Sequence, residues 1–340
     1  MFVIGVLLLL FAGLSHAQEY SEGKVIGYGR SPQFVTDTTV AFINPQGLLT
    51  LVNLNDRTTK EIGNKPITGF RPTINGFVVW DWQSSGVGKS SQTIRALSPT
   101  GNVKSEIELS DTRTGKKFTA PVMLPDGTVG YWVRENGNMF FETACGGGPE
   151  TSDQWIGDIK PDSPHVKYGD VWLRKVNGSE RRMVMPGRNY WPRIFFDGSQ
   201  QCCNRMLVVH EGNLNVIEFD STMDSDSVWE LGNRNEVIGR GMTLDAVEYE
   251  IILGATVASS ARWSDNCLWI VTLYQLAGSQ PGWDDYDIIS SDIQVLSVDR
   301  TVNIKIDTPG VMESNPSISS DGTVVCETEK GEIILYKRRG

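Results

Sequence analysis

The feature that most constrains the fold is a short motif that recurs along the chain. Four copies have a proline five residues before a turn-forming aspartate and an apolar residue three before it, at 31–37, 120–126, 191–197 and 315–321. Two shorter copies, at 71–76 and 261–266, bring the number to six. Self-similarity of this kind predicts a fold assembled from repeated supersecondary units.

Each copy has the composition of a β-hairpin. Proline has a fixed φ and lacks an N–H, so it suits the first residue of a strand. Asp-Gly, which ends three of the copies, favours a tight turn because glycine tolerates positive φ. Runs rich in Val, Ile, Trp and Tyr follow the copies, such as 77–80, 129–133 and 268–271. Such runs predict short strands on both sides of a turn.

Radial packing is the arrangement that covers both faces of such units and leaves only short edges. The sequence therefore predicts an all-β chain folded as a β-propeller of six blades. Two long gaps, before the fourth and before the fifth copy, leave room for a seventh blade. Segment 23–29 is a strand with no other place in the pattern. We expect it to complete the last blade and close the ring.

Three stretches break the regular spacing of the copies. Segment 143–166 is rich in Gly, Asp and Pro and predicts a long loop in the third blade. Segment 233–258 predicts an irregular connection before the fifth blade. Segment 275–291, with several Gly and Asp residues, predicts a loop within that blade.

The first residues predict export. The run 2–14 is almost wholly apolar, and small residues follow at 15–17. This is the pattern of a cleaved secretory signal, because the run is shorter than a membrane span and ends in a cleavage site before Gln18. We therefore expect a signal peptide at 1–17 and a single propeller domain at 18–340. The mature chain is expected to lack a membrane span and to be periplasmic or secreted.

Net charge and cysteine content narrow the classes of partner and cofactor. A net charge of −10 argues against nucleic acid and anionic membranes as main partners. Export permits disulfides, and the odd number of cysteines, five, leaves at least one thiol over. Cys267 and Cys326 lie in strand-like runs and are interpreted as small buried apolar residues. The cysteine spacing fits no zinc pattern.

Three copies of the motif resemble a known repeat. The segments 124–127 (LPDG), 263–265 (WSD) and 319–322 (SSDG) are similar to the W-S-P-D-G core of the TolB-type propeller repeat. The resemblance implies a β-propeller. TolB-like propellers of the bacterial periplasm mostly bind other proteins, so the resemblance also implies a protein-binding role, although one fold serves many functions.

Signatures of catalysis and of metal binding are weak. The chain has no G-x-S-x-G elbow, and His165 and His210 are interpreted as loop and hairpin residues rather than as catalytic bases. The acidic segment 283–287 could hold Ca²⁺ through its carboxylates. Its spacing departs from that of an EF-hand loop, so a solvated acidic loop is the favoured interpretation, and no other cofactor is expected.

The strongest binding candidates come from position within the repeat. In such propellers the first strand of each blade lines the axis, so residues beside the motif proline are expected near one mouth of the channel. Arginine and aromatic side chains at a concave mouth are typical of binding hot spots. The candidates are Arg30, Arg71, Trp191, Arg193, Arg262 and Asn315. Blade-to-blade packing of the tryptophan and a water-filled channel lined by the others is the plainer interpretation.

Further contacts with a partner are expected from residues in predicted loops. These are Trp82, Trp283, Asp284, Asp285 and Asp287. Together the observations predict a non-enzymatic propeller that engages a protein or peptide outside the cytoplasm. One alternative is a hydrolase or lyase acting on a glycan or lactone, which needs carboxylates or a metal over the channel mouth, with Asp81, Asp284 or Asp285 as candidates. Another is a scaffold within an envelope complex.

Overall fold

The computed structural model describes about 70 % of the chain, in separate stretches. These are residues 19–73, 75–84, 90–110, 117–118, 122–123, 129–135, 138–145, 155–161, 168–175, 181–190, 205–210, 213–219, 225–232, 236–242, 248–279 and 287–339. Side chains are described chiefly within 19–109 and 261–339. The predicted signal peptide at 1–17 lies outside these residues. Within them we find no helix whose length and hydropathy would let it cross a membrane.

The regular secondary structure of the described residues is β-strand. The first strands in chain order are β1 (Lys24–Tyr28), β2 (Arg30–Thr36), β3 (Thr39–Ile43), β4 (Leu49–Asn53), β5 (Thr59–Ile62), β6 (Gly69–Thr73), β7 (Gly76–Ser84), β8 (Ser90–Leu97), β9 (Val103–Ser110), β10 (Lys117–Phe118), β11 (Val122–Met123), β12 (Val129–Glu135) and β13 (Asn138–Cys145). The remaining strands are β14 (Trp155–Pro161), β15 (Tyr168–Lys175), β16 (Arg181–Tyr190), β17 (Arg205–His210), β18 (Asn213–Phe219), β19 (Ser225–Gly232), β20 (Glu236–Met242), β21 (Glu248–Trp263), β22 (Trp269–Ser279), β23 (Asp287–Ser297), β24 (Asn303–Ile306), β25 (Glu313–Ile318), β26 (Val324–Thr328) and β27 (Glu332–Tyr336).

The chain divides into two compact units. One unit comprises residues 1–37 and 233–340, and the other comprises residues 38–232. The second unit holds strands β3–β5, β6–β9, β10–β13 and β14–β19, each group hydrogen-bonded into an antiparallel sheet. The predicted single domain at 18–340 stays a prediction.

The sheet β6–β9 shows how sequence sets the structure of one meander. Gly69, Trp80, Ile94 and Ile107 face one another across its four strands. A Cβ on Gly69 would lie 2.3 Å from the indole ring of Trp80, so the absence of a side chain at Gly69 makes room for that ring. Along β9, charged and apolar residues alternate, which is the period expected of a strand with one face toward the core.

In the first unit, the N-terminal strand completes the C-terminal sheet. The strand order is β1-β27-β26-β25, and β1 pairs antiparallel with β27, Lys24 opposite Leu335 and Tyr28 opposite Glu332. The prediction that segment 23–29 supplies the fourth strand of this sheet is confirmed. A second sheet of this unit has the order β20-β21-β22-β23-β24.

A single apolar cluster fills the interior of the first unit. It draws side chains from the N-terminal segment and from β22 to β27: Tyr20, Val271, Ile293, Val295, Ile304, Ile306, Ile318, Val324, Cys326, Ile334 and Tyr336. Burial of one aliphatic or aromatic side chain of this size contributes about 1.5–3 kcal/mol relative to its exposure. The cluster therefore joins the N-terminal segment to the C-terminal strands.

One hairpin turn recurs in this unit, at 264–269, 297–302 and 319–323. A side-chain oxygen of Asn266, Asp299 or Asp321 accepts hydrogen bonds from the backbone N–H two residues on and from a serine hydroxyl two residues before. The next residue has positive φ, and it is Cys267, Arg300 and Gly322 respectively. The Asp-Gly pair predicted as a hairpin turn forms one at Asp321-Gly322.

Successive copies of the motif are hydrogen-bonded to one another. The side-chain amide of Asn266 donates to the carbonyl of Ser320 at 2.8 Å, and the N–H of Ser320 donates to Asp37 Oδ1 at 2.8 Å. The N–H of Phe34 also donates to the hydroxyl of Ser317 at 3.2 Å. These bonds place the fifth, sixth and first copies side by side in that order.

The motif proline does not begin its strand. Pro32 is the third residue of β2, and Pro72 and Pro316 are the fourth residues of β6 and β25. The prediction was wrong because each of these strands tolerates a missing N–H. Pro316 lies where the β25–β26 register shifts, and irregular pairing accommodates proline.

The three predicted irregular segments are partly strand. Segment 143–166 contains β14, which pairs with β15, and segment 233–258 contains β20 and the start of β21. Segment 275–291 includes the end of β22 and the start of β23. Glycine and aspartate suggested loops, but pairing with a long neighbouring strand outweighs their low β propensity.

Antiparallel meanders of four strands, joined by tight hairpins and following the sequence repeat, are the construction of propeller blades. The predicted fold class, an all-β chain of the β-propeller type, is confirmed. The number of blades and the closure of the ring stay predictions.

Candidate binding site

The structure brings three of the predicted mouth residues into one unit. Arg30 begins β2, Asn315 lies in β25, and Arg262 lies near the end of β21. Both β2 and β21 pack against β25. Arg71 lies in the other unit, half-buried on β6 opposite Val78.

Other candidates are placed differently or lie outside the described residues. Trp191, Arg193, Trp283, Asp284 and Asp285 are outside them, and Asp287 is described only as the first backbone position of β23.

Trp82 was predicted in a loop but lies on β7, opposite Gln92. The prediction was wrong because Trp82 and its neighbours pair in regular register with β8. On the other edge, the Trp82 N–H donates to the Thr68 hydroxyl at 2.9 Å. Its side chain is 41 % exposed, so it stays a candidate contact. Asp81, beside it, is half-buried on the same strand.

Two residues that precede a motif proline have an unusual backbone. Ser31 has a φ of 55° and Asn315 a φ of 47°. Left-handed backbone is uncommon outside glycine, and a following proline disfavours helical conformations further. Ser31 on β2 and Asn315 on β25 occupy equivalent positions of two motif copies and share this conformation, so the conformation belongs to the repeat itself.

The carboxylate of Glu327, on β26, joins these two positions. Its Oε1 accepts hydrogen bonds from the side-chain amide of Asn315 at 2.7 Å and from the hydroxyl of Ser314 at 3.1 Å. Its Oε2 accepts a hydrogen bond from the backbone N–H of Ser31. One carboxyl side chain thus holds both residues of positive φ through hydrogen bonds.

We name Arg30, Ser31, Arg262, Asn315 and Glu327 the Glu327 junction. Arg30 is exposed, and the other four are half-buried. The junction presents a cation and an amide beside a fixed carboxylate. Guanidinium and amide groups donate hydrogen bonds, and a carboxylate accepts them.

Sequence reasoning missed Glu327. The binding candidates were chosen beside the motif proline, whereas Glu327 lies on β26, the strand after the motif, eleven residues beyond Pro316. A signal was present, because Glu327 follows the buried run 324–326 within a strand. A carboxylate in such a strand needs partners, so its position predicts a buried polar contact.

The cysteines differ from each other. Cys326 is buried with a free thiol, and burial raises its pKa well above the ordinary value. Cys267 is also buried but is disulfide-bonded, so its interpretation as a plain apolar residue was wrong. The positive φ of Cys267 shows that its turn, rather than a strand, holds it.

Most of segment 283–287, the acidic segment predicted as a possible Ca²⁺ site, lies outside the described residues. Within the part of the chain that the structure describes, no group of three or more His, Cys, Asp or Glu side chains is placed to hold a metal ion.

Comparisons with known proteins give matches among solved structures alone. No protein-family model and no curated protein sequence matches the chain. Among solved structures, it is similar to the WD40 β-propeller domain of Doa1, with 9 % identity, 94 % of this chain and 97 % of that chain covered, and a TM-score of 0.44. It is also similar to the β-propeller domain of Cps50 (Swd1) from Myceliophthora thermophila, with 9 % identity, coverages of 94 % and 99 %, and a TM-score of 0.41.

A protein assigned as TolB in Agrobacterium tumefaciens is a further match, with 14 % identity, 92 % of this chain and 90 % of that chain covered, and a TM-score of 0.40. At these identities and TM-scores the matches carry no functional argument. The fold class rests on the sheets described above, and the resemblance to the TolB-type repeat rests on the sequence motif.

Proposed function

We propose that this chain is an exported, non-enzymatic binding protein that engages a protein or peptide partner through the Glu327 junction. The observation that carries the proposal is the left-handed backbone of Ser31 and Asn315, held by one carboxylate at equivalent positions of two motif copies. Strained backbone of this kind costs about 1–3 kcal/mol per residue and is concentrated at functional sites.

The side chains at the junction favour recognition of a partner. Arg30 is exposed beside Ser31, and Arg262 is half-buried on β21, which packs against β25, the strand that holds Asn315. Arginine is enriched in binding hot spots because its planar group makes several directed hydrogen bonds. The junction anchors the backbone around these groups, so they are presented with little loss of conformational entropy on binding.

Export is supported by the apolar leader and by the disulfide at Cys267. Stable disulfides belong to oxidising compartments such as the periplasm and the extracellular space. We therefore propose a periplasmic or secreted location for the mature chain.

The experiment is capture of partners on the tagged mature chain from the envelope extract of the native host, followed by binding measurements with the purified partner. We expect Arg30→Ala/Arg262→Ala to weaken that complex at least about tenfold, since hot-spot arginines contribute about 2 kcal/mol or more. Lys330→Ala, which removes an exposed cation in the β26–β27 hairpin, is the matched control and should bind as wild type does.

Equal binding by the folded double variant and the wild type would exclude the Glu327 junction as the site. Failure to capture any protein or peptide would favour the alternative, a hydrolase or lyase acting on a glycan or lactone. In that case, turnover of glycan and lactone substrates with and without Ca²⁺ becomes the deciding measurement.

A further inference from the structure

A second acidic group of the first unit lies deep in its interior. Glu313, the first residue of β25, is 1 % exposed. Its Oε1 accepts a hydrogen bond from the phenol of Tyr336 at 3.0 Å. Among the described residues, its Oε2 has no hydrogen-bond partner of acceptable geometry, although the Thr308 hydroxyl is close enough to lower the pKa of this carboxyl in part. An ionised carboxylate with one unpaired buried oxygen costs more free energy than the neutral acid in the same place.

The hydrogen bonds around Glu313 fix its orientation. The hydroxyl of Thr308 lies 2.6 Å from the Tyr336 oxygen, so the phenol can accept from Thr308 while it donates to Glu313. The hydroxyl of Ser291, on β23, donates to the Glu313 carbonyl at 2.8 Å. Because Oε1 is the acceptor for Tyr336, Oε2 is the atom on which a proton is held.

A second buried carboxyl, Asp292 on β23, adds its charge to this region. It is 5 % exposed. Burial, and then the neighbouring charge of Asp307, raises the pKa of Asp292, and Lys305 opposes that rise. Lys305 itself lies over the ring of Tyr274, with its Nζ 3.4 Å from the ring centroid. Asp292 in its charged form disfavours a second negative charge on Glu313.

The remaining ionisable side chains come from the other elements packed against β25. Those that the structure describes are Arg30 on β2, Arg262 on β21, Tyr274 on β22, Cys326 and Glu327 on β26. The Cys326 thiol stays protonated because burial raises its pKa. Both carboxylate oxygens of Glu327 accept hydrogen bonds within its own junction, whereas Glu313 has a buried oxygen without a hydrogen-bond partner. Glu313 is therefore the group of this region best placed to hold a proton.

We propose that Glu313 is a proton-binding switch: the first unit is tightly closed with Glu313 neutral, and loss of its proton loosens the start of β25 where it meets β23 and β27. Burial, opposed in part by hydrogen bonding, raises the pKa of this carboxyl from 4.5 to about 7. The folded value exceeds the unfolded one, so the stabilisation is complete below pH 4.5 and is lost as pH rises through about 7. The inference does not depend on the proposed partner binding.

The test is thermal unfolding of the full mature chain from about pH 5 to about pH 9, monitored by circular dichroism. We expect the Tm of the wild type to fall by several degrees across neutral pH. Glu313→Gln, a neutral isostere, should match the wild type on the acid side and exceed it on the alkaline side. Parallel profiles of the two proteins would overturn the proposal.

A second variant keeps the test decisive if Glu313→Gln does not fold. Tyr336→Phe removes the donor that stabilises the ionised form, so the fall in Tm should move to higher pH, and the ¹³C resonance of the Glu313 carboxyl should titrate at higher pH as well. An unchanged midpoint in both measurements contradicts the switch. If Ca²⁺ at alkaline pH restores the wild-type Tm and EDTA reverses it, a bound cation rather than a proton compensates Glu313.

Discussion

At the scale of single residues, the chain has left-handed backbone, with positive φ, in two settings: at residues that precede a motif proline and in hairpin turns. Ser31 and Asn315 have positive φ without being glycine, and hydrogen bonds to Glu327 compensate the cost. At several other positions of positive φ the chain has glycine, which adopts these angles without a steric penalty. Gly76, with a φ of 136°, opens β7 in this way.

Gly76→Ala should lower the free energy of unfolding by at least about 2 kcal/mol. A methyl group at Gly76 would lie 2.0 Å from the carbonyl oxygen of Leu97, and backbone cannot yield as a side chain can. Gly63→Ala, in the same unit with a φ of 78° and only a 3.8 Å contact with Leu97, carries the conformational cost alone. Urea titration of both variants checks the prediction, which fails if Gly76→Ala is no less stable than Gly63→Ala.

At this scale the sequence predicted positions better than partners. The motif predicted Arg30 and Asn315 near one mouth of a channel, which stays a prediction, and the structure places both on neighbouring strands, Arg30 at the start of β2 and Asn315 within β25. Glu327 and Glu313 could not be found in the same way, because neither belongs to the repeated motif. Their roles depend on which strands are neighbours in space, and a residue pattern along the chain does not contain that information.

At the scale of elements, the recurring turn shows that one hydrogen-bond network accepts different residues. Asn266 and Asp299 accept the same hydrogen bonds at equivalent positions of their turns, and each is followed by a residue with positive φ, Cys267 and Arg300 respectively. The amide and the carboxylate are both competent acceptors, so the aspartate adds charge rather than geometry. The hydrogen bonds from Ser297 and then Thr301 lower the pKa of Asp299.

Asp299→Asn should therefore lower the Tm slightly at neutral pH and converge with the wild type in acid. The folded pKa of Asp299 is depressed, so its stabilisation is present above the unfolded value and is lost as pH falls through the folded one. Asp299→Ala lacks the acceptor and should have a lower Tm at both pH values. Melting curves at the two pH values test this, and an unchanged gap between Asp299→Asn and the wild type in acid would contradict it.

The elements themselves were partly predictable. The apolar runs after each motif copy form strands because β-branched and aromatic residues suit a pleated, half-buried surface. Glycine and aspartate in segments 143–166, 233–258 and 275–291 suggested loops, yet much of each segment is paired strand. Local composition misled there because pairing with a long neighbour such as β21 or β22 is a non-local contribution.

At the scale of the whole molecule, the first unit depends on contact between distant parts of the chain. Tyr20 is buried at 6 % exposure, and its hydroxyl donates to the carbonyl of Gly322 at 2.8 Å. The bridge between Tyr20 and Arg338 continues the pairing of β1 with β27 beyond the sheet. Arg338 in turn lies over the ring of Trp269, so the N-terminal segment, the C-terminal residues and β22 are held together.

Tyr20→Ala should lower the free energy of unfolding by about 3 kcal/mol, the usual effect of removing a large buried aromatic side chain. Tyr28→Ala is the matched control from the same segment, because Tyr28 is 58 % exposed. Its effect should stay within about 0.5 kcal/mol. Chemical denaturation of both variants measures the difference, and similar losses for the two would show that the N-terminal segment does not stabilise the unit.

The pairing of β1 with β27 also determines when this sheet can be completed. A chain that emerges from the ribosome or from a translocation pore presents β1 first and β27 some three hundred residues later. Until then β1 exposes an unpaired edge, which is a template for mispairing and aggregation. The edge of β1 therefore stays unpaired until β27 has been synthesised, so this sheet cannot be completed early in synthesis.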